Sequence, residues 1–163
     1  MELAMEFRSC DATYDLLDAL IAVLAPERVV ETGTGEGYGT QRLRSAAGPG
    51  RVVTVDNRPV EQTVEGVEYV LADSLDYARD LQAADLAFVD CSIDGRHRER
   101  VVHELLTKAR VVVLDDTRIV GVQVLYPPMI RLLSTTGSWL WVRDIPDRDN
   151  VDAAVPQTIE RDA

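Results

Sequence analysis

The sequence predicts a doubly wound α/β domain: a mostly parallel, seven-stranded sheet finished by a C-terminal antiparallel hairpin. Three observations predict it. Short β-branched runs alternate with amphipathic helical stretches. Most of those runs are apolar on both faces, as strands buried inside a parallel sheet have to be. A glycine-rich turn joins the first strand to the helix that follows.

The elements follow in order. Asp11 to Leu24 reads as a helix, capped by Asp11 and stopped by Pro26. Its Leu16, Leu17, Leu20, Ile21 and Leu24 share one face. Val29-Val30, Arg51 to Val55, Val67 to Leu71, Leu86 to Val89 and Arg110 to Leu114 read as strands. Tyr38 to Ala47 is a second helix, ended by Gly48-Pro49-Gly50. Leu75 to Leu81 and Arg98 to Lys108 are the third and fourth. Val122 to Leu133 is expected as a fifth, kinked or delayed by Pro127-Pro128. Ser138 to Arg143 alternates as a strand, Asp147 to Asn150 turns, and Ala153 to Ile159 returns as an edge strand carrying Pro156. These two strands make the expected hairpin.

Composition bounds the function. The 163 residues fit one domain, 1–163, large enough to fold without a disulfide or structural metal. A net charge of −11 disfavours nucleic-acid partners. Of the 17 basic residues only Lys108 is a lysine, which reads as codon bias. Cys10 and Cys91 have neither disulfide-framework nor zinc spacing. The acidic start (Glu2, Glu6) is unlike a secretory leader, and the longest apolar stretch, Ala19 to Ala25, cannot span a bilayer. A cytoplasmic protein without membrane partners is expected.

The chemistry concentrates at strand ends. Glu31-Thr32 closes the first strand, and Gly33, Gly35, Gly37 and Gly39 follow at every second position before a helix begins. Glycines there let the backbone approach a ligand, and the helix start offers N–H groups. A dinucleotide fingerprint G-x-G-x-x-G fails: from Gly33 its last position is Tyr38, from Gly35 it is Thr40. An anionic Glu31 would repel a pyrophosphate and attract a cationic ligand.

"VVETGTGEGYGT" resembles the first motif of the class I S-adenosylmethionine-dependent methyltransferases, and three later strand ends follow the same family in order. The resemblance spans roughly residues 11 to 160. It implies a Rossmann-like methyltransferase fold, with S-adenosylmethionine held by Glu31, Gly33, Thr34, Gly35, Gly37 and Tyr38. Asp56, ending "VVTVDNRP", would bond the ribose hydroxyls with Asn57 beside it. Asp73 and Ser74, in "YVLADSLDYA", would meet the adenine, and Asp90 stands at the fourth motif.

On the acceptor side, Asp90, Asp115 and Asp116 sit at neighbouring strand ends and could hold Mg²⁺ through oxygen. This is similar to the cation-dependent, catechol-type O-methyltransferases. Two departures stand out: Asp-Asp replaces that group's Asp-Asn, and Ile93 replaces its lysine. A side-chain base is the other route: His97, within "DGRHRERV", a stretch that resembles the D-G-x-H of small tailoring O-methyltransferases. Catalytic candidates are therefore Asp90 and His97. Arg96, Arg98 and Arg100 crowd a helix start; they suggest an anionic partner or, more simply, pairing with Glu99 and Glu104. No Asn/Asp-Pro-Pro-Tyr/Phe follows the fourth strand, which argues against amino methylation of bases or glutamine. With no large insertion, the acceptor pocket should be shallow or completed by a second copy in a homo-oligomer. The expectation is methyl transfer to a small molecule, most simply to a hydroxyl oxygen. The rivals are an inactive S-adenosylmethionine- or S-adenosylhomocysteine-binding module and, less favoured, an NAD-binding oxidoreductase.

Overall fold

A computed structural model describes residues 11–116, 130–132 and 138–142. The elements are α1 (Asp11–Leu24), β1 (Arg28–Thr32), α2 (Tyr38–Ala47), β2 (Arg51–Asp56), β3 (Val67–Leu71), α3 (Ser74–Asp80), β4 (Ala84–Val89), α4 (Gly95–Leu105), β5 (Ala109–Leu114), β6 (Ile130–Leu132) and β7 (Ser138–Val142). The sheet order is β3-β2-β1-β4-β5-β7-β6. The first five strands are parallel, and β7 lies antiparallel between β5 and β6.

Strand alternation sends side chains to two cores. Val29, Val52, Leu86, Phe88, Val111 and Val113 pack with Leu17, Ile21 and Leu43 of α1 and α2. Val30, Val53, Ala87, Val89, Val112 and Leu114 pack on the other face with Leu75, Ala78, Val101, Val102 and Leu105 of α3 and α4. Helices thus cover both faces, which explains why these strands read as continuous apolar runs. β3 is an edge strand and only partly buried, and its Glu68 pairs with Arg51 of β2.

The sheet order reverses at β1, which sends the chain outward to β2 on one side and has β4 on the other. Ligands of open α/β sheets bind above that switch point.

Three expectations are corrected. The end of the expected helix Val122–Leu133 is strand β6. Ile130-Arg131-Leu132 alternates apolar and charged residues and finds ladder partners in β7. Residues 122–129 and 133 lie outside the described residues. The antiparallel partner of β7 is this upstream β6, whereas the expected return strand Ala153–Ile159 lies outside the described residues. Finally, α4 begins at Gly95 because Asp94 caps it, accepting from the Arg96 N–H at 3.0 Å. This places His97 and Arg98 in its first turn. Lys108 lies beyond α4, and its ammonium donates to the carbonyls of Ala78 and Arg79 at the end of α3.

Candidate active site

The ends of the central strands are stitched together by backbone bonds. Gly33 N–H donates to the Val55 carbonyl (2.8 Å), Asp90 N–H to that of Thr32 (2.9 Å) and Asp115 N–H to that of Val89 (3.1 Å). Above them opens a cleft of about 1040 Å³. Every site residue predicted from the sequence lines it except Gly37 and Asp115.

The glycine turn shapes one half of the cleft. Gly33, Gly35 and Gly37 all have positive φ (96°, 52° and 84°), which L side chains adopt at a cost. Gly33 is also pressed against β4: a Cβ there would lie 2.5 Å from the Asp90 carbonyl oxygen. Gly35 faces open space, and Gly37 precedes α2 without a side-chain cap. The turn therefore presents bare backbone and a helix start to a ligand. Asp56 is aimed from below, its Oδ2 accepting from the Gly35 N–H (3.1 Å) and its Oδ1 from the Arg58 N–H (2.9 Å).

Glu31 differs from its expected state. It is 1% exposed and accepts hydrogen bonds at Oε2 from Thr40 and from Thr54 (2.7 Å). Burial pushes its pKa up to about 8; the two hydroxyls oppose this, and Asp90 and Asp56 reinforce it. Expected as an anion, Glu31 is instead tilted toward the neutral acid at neutral pH. Thr34 extends the network, its hydroxyl 2.7 Å from that of Thr54.

Across the cleft, Asp73 caps α3, accepting from the Leu75 and Asp76 N–H groups. Its other oxygen stands 3.9 Å from His97 Nε2, so His97 faces the predicted adenine side. Ser74 is buried beside Cys91, whose thiol is pushed up in pKa by burial.

The half of the cleft at the ends of β4 and β5 is built around a residue whose role the sequence did not reveal. Arg98 is buried, and its guanidinium donates to the Ser92 carbonyl, the Asp115 carbonyl (2.9 Å) and Asp90 Oδ1 (3.1 Å). The expected pairing with Glu99 or Glu104 gives way to this tie between two strand ends. The planar fork of arginine suits three acceptors in different directions. Ser92 and Asp116 flank these contacts, and both have left-handed backbone (φ 58° and 55°) although neither is glycine. Asp90, Asp115 and Asp116 each bring one oxygen within 4.8 Å of the others. Thr13, from α1, donates to Asp115 at 3.0 Å. Tyr14 also reaches the cleft, stacked edge-on with Tyr38 at 5.4 Å. Ile93 stands 81% exposed at the rim.

No family profile and no curated protein matches the chain. Solved structures do match. One is a candidate caffeoyl-CoA O-methyltransferase from Staphylococcus aureus, 15% identical, with a TM-score of 0.68 over 81% of this chain and 83% of that one. Another is the O-methyltransferase TomG from Streptomyces achromogenes, involved in tomaymycin synthesis and solved with S-adenosylmethionine. It is 20% identical, with a TM-score of 0.66 over 85% of this chain and 83% of that one. A third is an O-methyltransferase from Bacillus cereus in complex with S-adenosylhomocysteine, 18% identical, with a TM-score of 0.58 over 86% and 84%. The chain has the fold of the class I S-adenosylmethionine-dependent methyltransferases.

Proposed function

We propose that this domain is an S-adenosylmethionine-dependent methyltransferase acting on a hydroxyl oxygen of a small molecule. One observation carries it: a single cleft holds both an open glycine turn with its oriented Asp56 and, on the adjoining strand ends, the carboxylates of Asp90 and Asp116. The likeness to structures solved with S-adenosylmethionine or its demethylated product supports the cofactor.

Methyl transfer from a sulfonium is an in-line displacement, so the protein's task is alignment and removal of the acceptor proton. Asp56 has two oxygens held in place by backbone donors, and each keeps acceptor capacity for a ribose hydroxyl. Asp73 and Ser74 flank the space assigned to the adenine. His97, which lines the same cleft beside Asp73, is the side chain offered as base for the acceptor proton.

The residues present also fit a divalent cation. Three hard oxygen donors converge within 4.8 Å, and with Arg98 beside them the group sums to two negative charges. Asp90, Asp115 and Asp116 would hold Mg²⁺, which when bound would lower the pKa of an acceptor hydroxyl. Calorimetry with S-adenosylmethionine, S-adenosylhomocysteine and NAD side by side tests the cofactor. Methyl transfer to hydroxylated small molecules, with and without Mg²⁺, tests the reaction. Tight nucleoside binding with no turnover across such a panel would point instead to a binding module.

A further inference from the structure

We propose that Glu31 is a specificity-determining residue: it surrenders its proton when a cationic nucleoside enters the cleft, and so selects for the ligand's positive charge. The inference rests on the cofactor reading above. It begins from geometry. The Glu31 carboxyl ends β1 beneath the glycine turn, 1% exposed yet lining the cleft. Both threonine hydroxyls converge on Oε2. The other oxygen, Oε1, and the Tyr14 hydroxyl from α1 both crowd the α-carbon of Gly39, lying 2.6 and 2.9 Å from where a Cβ would stand. Gly39 thus leaves room for an acid at this point in the wall.

Two acids act on Glu31, and one of them, Asp90, is paired with Arg98. Asp56 from β2 and Asp90 from β4 both disfavour a second negative charge there, and α2 contributes the neutral Thr40 hydroxyl. Burial acts in the same direction and is the larger cause; together they put the pKa at about 8. Burial and the two acids therefore favour the neutral acid at neutral pH. A ligand bearing a sulfonium or an ammonium reverses the local field and favours the carboxylate. The O–H bond of Glu31 breaks, the electron pair stays on the carboxylate, and the proton leaves to the solvent. A nucleoside without those cationic groups provides no such reversal and leaves the proton in place.

Proton linkage makes this measurable without an acceptor. Titration calorimetry at pH 7, in buffers of different ionisation enthalpy, counts protons released on binding. Three ligands separate the arms: S-adenosylmethionine, S-adenosylhomocysteine and neutral 5′-methylthioadenosine. The expected result is release approaching one proton for S-adenosylmethionine and for S-adenosylhomocysteine, and none for methylthioadenosine. Affinity for the charged ligands should rise from pH 6 to pH 8, by up to about tenfold per unit, while that for methylthioadenosine stays level. The isosteric Glu31→Gln variant should bind all three without releasing a proton.

A second readout needs no ligand. The folded-state pKa is raised from 4.5 to about 8, so the native protein holds this proton where the unfolded chain has lost it. Its stability should therefore fall as pH rises across that window and flatten above it, relative to Glu31→Gln. Charged ligands that bind with no buffer-dependent heat, or a release that persists in Glu31→Gln, would overturn the inference and leave the cofactor reading standing. Failure of all three ligands to bind would sink both.

Discussion

The two halves of the cleft are made in different ways. The half beneath the glycine turn is made of backbone: positive-φ glycines, a strand-end carboxylate fixed by the Gly35 and Arg58 N–H groups, and a helix start without a cap. The half above β4 and β5 is held by side chains. There a buried arginine gathers acceptors from two strand ends, and a threonine 102 positions away braces one carboxylate. The second kind of construction can be altered one side chain at a time.

The largest expected effect tests the second half. Arg98→Met would leave Asp90 and two carbonyls without their buried donor, and should cost about 3–5 kcal/mol in urea unfolding. Arg98→Lys, which cannot reach three directions at once, should fall between. If Arg98→Met unfolds like the parent, the arginine tie is not what holds these strand ends. Next comes the seam between the halves. Gly33→Ala would combine positive φ with a Cβ 2.5 Å from backbone, and should cost on the order of 3 kcal/mol in the same assay.

Smaller effects sharpen the contrast. Asp56→Ala should weaken S-adenosylhomocysteine binding by about 1–3 kcal/mol in calorimetry while the fold persists. Unchanged affinity would remove Asp56 from the cofactor side. Thr54→Val deletes one donor to Glu31 and the partner of Thr34, and should cost about 1 kcal/mol of stability, with a further rise in the Glu31 pKa.

Legibility in the sequence follows the same division. The parallel core could be read because strands buried on both faces must be apolar throughout, and Glu31, Gly33, Gly35 and Asp56 could be read because strand-end signals are local. Asp90, Asp115 and Asp116 were legible as strand-end acids, and the fold brings them together. Arg98 was not, since its acceptors stand at the ends of two different strands and it sits among other arginines. Thr13, Tyr14, Thr40 and Thr54 were hidden for another reason. A threonine within a β-branched run, or a tyrosine on an amphipathic helix, looks like ordinary packing until the tertiary contact appears. β6 escaped because three residues carry too little periodicity to outweigh a helical frame.

Gly33 carries one more implication. At this point the glycine turn and the chain leaving β4 touch backbone to backbone, with no side chain between them to rotate or compress. Whatever spacing separates the two halves of the cleft is thus inherited from the fold itself.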